Sequence, residues 1–269
     1  MFDFDKNFEE YAIKWYDEHR DELENEDELE DMMPELYEKW AHEPIGELSG
    51  LTPAEFFDKI DPPTLVKLML SACEGGSHPS SLLLDKIAAR QECAIGLVDI
   101  IRASRNCEAR MISINLLSEM GAEHPLDVYA SFICDKDVDD DLRDLAVEIM
   151  CDYADRVADK LYKLIPSATF KQKEIIAEIL VNAKHDDRTF RLLEEIFAST
   201  ENLAYHAALV GKYGDERAAA MLYRALDTCN YAEYIEVRNA IERMGGVVDD
   251  TRDFSDDPYY IALKGTGDK

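Results

Sequence analysis

The chain has 269 residues, 46% of them apolar, enough to bury a sizeable core in one large domain or two small ones. Its 58 acidic residues outnumber its 29 basic ones, for a formal net charge of −29 and an isoelectric point near 4.4. A field of that sign repels phosphate backbones and anionic lipid surfaces, so it argues against nucleic acid or membrane as partner and suits a basic partner protein.

The opening stretch, "MFDFDKNFEE", is acidic rather than basic and then apolar, so it does not read as a signal peptide, and no uncharged apolar run approaches the ~18 residues of a membrane span. These features, with cysteines expected to be reduced thiols, point to a cytoplasmic protein. Phe4, Phe8, Tyr11 and Trp15 fall at i, i+4, i+7 and i+11, which places four rings on one helical stripe fit for docking on the next helix. Residues 17–31 hold ten acids and one Arg and read as a solvated connector or helix face. Leu29, Met33, Leu36 and Trp40 repeat the aromatic spacing, and Pro34 is expected to break that segment and start a fresh turn. Through residue 44 there are 17 acids and 4 bases, so residues 1–48 are set apart as an acidic helical N-terminal arm.

"GLTPAEFF", residues 50–57, carries a complete helix-start signal: Thr52 to cap, Pro53 at the first helical position and Glu55 to close a capping box. Short helices follow in "PTLVKLMLSACEGG", "PSSLLLDKIAAR" and "QECAIGLVDIIRAS". The "GGSHPSS" stretch sets a Ser beside a His but brings no general base or nucleophile elbow, and reads as a linker.

From residue 106 the chain repeats. "NCEARMISINLLSEMG", "DDDLRDLAVEIMCDYA", "TFKQKEIIAEILVNAK", "ENLAYHAALVGKYG" and "AEYIEVRNAIERMGG" align with Arg110, Arg143, Lys173, Leu203 and Tyr234 as equivalent points, in steps of 33, 30, 30 and 31. A shorter helix lies between each pair: "PLDVYASFIC", "VADKLYKLI", "FRLLEEIFA" and "AAAMLYRAL". Helix–turn–helix units at a fixed period are the signature of an α-solenoid, in which each pair buries its apolar face against its neighbours. The first helices resemble those of HEAT-like repeats: acidic or Asn start, Arg, small residue, paired aliphatics, closing Gly. The resemblance covers residues 79–245 and more loosely 45–78. It is to compact HEAT-like repeats of bacterial proteins, because the period is shorter than the ~40–47 residues of full-length units. It implies an all-α, right-handed solenoid over residues 49–245, with the acidic tail 246–269 capping the last repeat through Phe254, Tyr259 and Tyr260.

Chemical motifs are sparse. In "DVDDDLRDLAVE", Asp137, Asp139, Asp141 and Glu148 come near the spacing of a calcium loop, but the sixth position is Leu142 where a Gly is needed. Helical spacing also begins at Leu142, so the aspartates read as caps for a helix start. The six cysteines and six histidines form no zinc or HExxH spacing, and no Gly-rich phosphate loop follows a strand. No catalytic, metal or cofactor-binding residue is assigned, and no cofactor is expected. Some HEAT-like proteins are enzymes, notably alkylation-repair DNA glycosylases and bilin lyases. A glycosylase needs a basic concave surface, whereas residues 45–269 hold 25 bases and 41 acids. Tyr129, Tyr162 and Tyr223 recur at equivalent points of the second helices, with Leu193 filling the remaining unit. Because second helices line the inner face of HEAT-type solenoids, the resemblance puts this ladder near a concave protein-binding surface. The alternative is that the rings pack between repeats and only their hydroxyls reach water. The expected function is a non-catalytic protein- or peptide-binding scaffold for a basic partner. Its rivals are an enzyme or small-ligand-binding protein on the same scaffold, and an acidic nucleic-acid mimic that occupies a DNA-binding protein.

Overall fold

The structure, a computed structural model, describes residues 2–20, 26–199, 201–249 and 252–265. Among these the chain is all-helical, with sixteen α-helices, a few 3-10 turns and no strand. It forms two compact units, residues 1–125 and 126–269, a division that falls inside the segment 49–245 grouped by the repeat.

The first unit holds α1 (Phe4–His19), α2 (Glu26–Ala41), α3 (Pro53–Asp58), α4 (Pro62–Glu74), α5 (Ser81–Ala88), α6 (Ala94–Ala103) and α7 (Cys107–Glu119). The aromatic stripe of α1 is divided between neighbours. Phe4 meets Phe57 at 4.7 Å, and Phe8 meets Tyr37 and Trp40 of α2 at 5.0 and 5.3 Å. Trp40 donates its indole N–H to Asn7 Oδ1 (2.9 Å), giving the buried ring the polar partner it needs. Trp15 instead stacks on His19 of its own helix. Residues 21–25 of the acidic connector lie outside the described residues.

Pro34 does not break α2; it sits inside a continuous helix. The reason is its position on the exposed side, where water can meet the carbonyl that lost its N–H partner. Leu36 and Trp40 on the opposite side are buried and hold the helix together. The start of α3 forms as its sequence dictates: Thr52 Oγ1 accepts from Glu55 N–H and Glu55 Oε2 accepts from Thr52 N–H, both at 3.1 Å. Arg90 donates to the carbonyls of Ile60 (2.6 Å) and Phe57 (3.3 Å), tying the end of α5 to the end of α3.

The second unit holds α8 (Leu126–Phe132), α9 (Asp140–Asp152), α10 (Ala154–Leu164), α11 (Phe170–Leu180), α12 (Asp187–Phe197), α13 (Leu203–Tyr213), α14 (Ala219–Ala225), α15 (Tyr231–Arg243) and α16 (Pro258–Gly265). Most successive helices pack on one another, and alternate ones also touch: α8 with α10, α9 with α11, and α13 with α15. The α13–α15 crossing is the closest. A Cβ on Gly211 would stand 2.7 Å from the Cα of Ala240, so only glycine admits that approach.

The arginines at the register positions have a physical role. The Nε–H of Arg143 donates to the Phe132 carbonyl (3.1 Å), and its Nη2 donates to the carbonyls of Asp135 (3.1 Å) and Val138 (2.9 Å). Arg110 donates likewise to Ile101 (3.2 Å). Each satisfies carbonyls that the end of the preceding helix leaves without a partner. A second recurrence was not read from the sequence. Asp186 and Asp215 each cap a helical turn and each hold the arginine two residues on. Those guanidiniums lie over rings of α10 and α12, Arg188 on Tyr162 (3.8 Å) and Arg217 on Phe190 (4.1 Å). Arg188 holds the Asp186 carboxyl well down, at about 2.

In the tail, Phe254 is buried against Tyr231 (5.1 Å) and Tyr234 (4.8 Å), and Tyr260 meets Tyr231 at 4.8 Å. Tyr259 is no anchor, being 58% exposed. Consecutive residues on α16 point about 100° apart, so turning one ring toward α15 turns its neighbour away.

Candidate functional site

The three tyrosines do not share one environment. Tyr129 is 0% exposed, and burial pushes its phenol well above the ordinary range. It offers no surface to a partner. Tyr162 is half-buried under Arg188 and shares a hydrogen bond with Thr189 Oγ1 (2.7 Å). Tyr223 is 41% exposed and donates its hydroxyl to the Val247 carbonyl (3.0 Å). The period brought the rings to equivalent places along the chain, while local packing gave each a separate internal task.

The aspartates of 137–148 take helix-start positions. Asp139 caps α9 by accepting from Asp141 N–H (3.0 Å), and Glu148 lies two turns into the helix. Among the described residues no three His, Cys, Asp or Glu side chains come together as a metal-holding group. In the Ser-His stretch, Ser77 Oγ donates to the Ala72 carbonyl and Ser80 Oγ caps Leu83 N–H, while His78 Nδ1 lies 2.9 Å from Glu108 Oε1. Both hydroxyls already have backbone partners.

A different arrangement has the form of a binding site. A cleft of about 590 Å³ runs between α9, α11 and α13. Asp144, Glu148 and Asp152 stand on α9 at i, i+4 and i+8, and Glu178 faces them from α11, with Val147 and Ile175 as the apolar wall. Lys212 of α13 is the one base among these lining residues, so the cleft carries four carboxylates against one ammonium. Like charges at i, i+4 destabilise a helix by about 0.2–0.5 kcal/mol per pair, so the row is not explained by helix stability.

The electrostatics follow from this row. The Cys151 thiol, in the same cleft, is pushed up to about 11, first by burial and then by the charge of Glu178. It stays protonated and donates weakly to the Glu178 carbonyl (3.8 Å). Tyr205 donates to Glu178 Oε2 (3.0 Å), and burial with that charge raises its phenol as well. One turn back on α11, Glu174 Oε1 lies 2.7 Å from Nε2 of His206, whose ring is fully buried. Cys151 and Glu178 are therefore tied to neighbouring helices by hydrogen bonds, while Asp144 and Glu148 remain exposed. The i, i+4, i+8 row was legible in the sequence. That Glu178 lies across from it was not, because that depends on how α9 and α11 pack. No family model, curated protein or solved structure matches the chain.

Proposed function

We propose that the protein is a non-catalytic binding scaffold, built as a short HEAT-like solenoid, that takes a basic segment of a partner protein into the acidic cleft of α9, α11 and α13. The observation that carries this reading is the cleft itself: an apolar wall of Val147 and Ile175 edged by Asp144, Glu148, Asp152 and Glu178. A Lys or Arg side chain fits such a place, because its methylene stem covers apolar surface while its charged end meets carboxylate. The contacts between alternate helices, α8 with α10, α9 with α11 and α13 with α15, support a solenoid of paired helices. The cleft lies on the first helices of the pairs, so this reading moves the binding face away from Tyr129, Tyr162 and Tyr223.

The test uses arrays of Lys/Arg-rich peptides followed by anisotropy titration, on the full chain and on Asp144→Lys/Glu148→Lys. Both carboxylates are exposed, so the variant retains the fold, and it also relieves the repulsion along α9. The expected loss of affinity is roughly tenfold to a hundredfold, with binding to the parent weakening as salt rises. Equal binding by parent and variant, or selection of acidic peptides only, defeats the reading.

A further inference from the structure

The first unit encloses a second cavity, of about 240 Å³, where the start of the chain meets α3, α4 and α5. Its wall is unusually aromatic. Phe2, Phe4, Phe56 and Phe57 all line it, with ring centroids 4.8 Å apart for Phe2–Phe4, 5.5 Å for Phe4–Phe56 and 5.2 Å for Phe56–Phe57. Asp3 and Asp5 line the same space. Ring faces carry negative quadrupole charge, and a cation within about 6 Å of a ring centroid is attracted to it. Rings and carboxylates thus favour a ligand of the same sign.

Both carboxylates have structural duties, and magnitude decides whether charge is left over. Asp3 caps α1 by accepting from Lys6 N–H (3.0 Å), and Asp5 accepts from Ser81 N–H at the start of α5 (3.3 Å). Each helix N-terminus offsets roughly half a unit charge. Two carboxylates against two such ends leave about one negative charge uncompensated. Neither neighbouring base supplies the balance: the Lys6 ammonium lies 3.9 Å from Glu10 on the exposed side of α1, and His78, which also lines the space, is paired with Glu108 (2.9 Å). The volume is below the roughly 300–1,000 Å³ of sites for drug-sized ligands, which restricts the occupant to a few heavy atoms. We propose that this cavity, four phenylalanine rings with Asp3 and Asp5, binds a small organic ammonium ion. The whole chain's charge of −29 raises the local concentration of such ions.

Tetramethylammonium, with tert-butanol as a neutral probe of similar shape, tests this by NMR titration of the full-length protein. The cation is expected to saturate below about 10 mM, and the alcohol to bind at least roughly tenfold more weakly. Amide shifts should centre on Phe2, Phe4, Phe56 and Phe57. Asp3→Asn and Asp5→Asn remove charge while keeping an oxygen that can accept from the same N–H, so each should weaken binding several-fold with the melting temperature held. Phe2→Ala, ahead of α1 and only part-buried, should weaken binding without unfolding the unit. Equal binding of alcohol and cation, unchanged affinity in both Asn variants, shifts elsewhere in the chain, or no saturable binding overturns the proposal.

Discussion

At the scale of single residues, Gly211 marks a close approach of two helix backbones in the second unit. Replacing an exposed helical Gly by Ala gains about 1 kcal/mol of helix propensity. At Gly211 that gain meets an obstacle, because the new Cβ would lie 2.7 Å from Ala240 Cα and 2.8 Å from its Cβ. Neither atom can swing away, so α13 and α15 would have to separate, and overpacking of this kind costs roughly 1–3 kcal/mol. Gly211→Ala is therefore expected to lower the urea midpoint. Gly96→Ala is the contrast: its nearest neighbour is a methyl of Val66 at 3.1 Å, which a small side-chain shift relieves. That variant should be close to neutral or more stable. If both variants behave alike in urea titrations, close approach at Gly211 is not the cause. The sequence carried no sign of this constraint, since a Gly inside "AALVGKYG" is distinguishable from a helix stop only by what stands opposite.

Among elements, α2 offers the sharpest test. Pro34 removes one N–H from a helix whose buried side is held by Leu36 and Trp40. An interior proline costs a helix up to about 3 kcal/mol, part of which water at the exposed carbonyl recovers. Pro34→Ala should thus raise the stability of the first unit by about 1–2 kcal/mol, read as a higher midpoint at unchanged m-value. A drop in stability would mean that the ring itself makes a contact that α2 needs. Much at this scale was legible in advance. The capping box at Thr52 and Glu55 and the cap at Asp139 act within a few residues of the chain, where propensity and hydrogen-bond geometry decide. What failed depended on a neighbouring element. Pro34 was misread because exposure determines whether its carbonyl is satisfied, and Tyr259 because the rotation of α16 selects Tyr260 instead. The Asp-x-Arg clamps at 186–188 and 215–217 were visible as letters, but their stacking on Tyr162 and Phe190 needs the packed helices.

For the molecule as a whole, charge sets the dependence of stability on pH and salt. Among the carboxyls whose folded values lie below their ordinary range are Asp58 beside Lys86, Asp186 beside Arg188, at about 2, and Asp215 beside Arg217. A depressed carboxyl stabilises the fold above its unfolded value of about 3.9, and that contribution fades as pH falls toward the folded one. Asp85 works in the opposite direction. Burial raises its value, so its contribution is full below about 3.9 and is lost as pH rises through the folded value. These three carboxyls sit in ion pairs that reach solvent, where screening leaves each pair only a small contribution. Against them stands the mutual repulsion of 58 acids with only 29 bases, which is full at pH 7 and shrinks once carboxyls begin to protonate below about pH 5. Repulsion among many groups outweighs a few weak pairs until those pairs themselves titrate. The melting temperature is therefore expected to peak near pH 5, decline modestly toward pH 7–8, and collapse below about pH 3 as the paired aspartates take up protons. Salt should raise it at pH 7–8, since 1 M shortens the screening length from about 10 Å at 0.1 M to about 3 Å, and should have least effect near the peak. Thermal melts from pH 3 to 8 at those two ionic strengths, roughly 0.1 and 1 M, provide the comparison. A melting temperature that falls with salt at pH 7 would show that attraction between specific pairs, not the surplus of negative charge, dominates the fold's electrostatics.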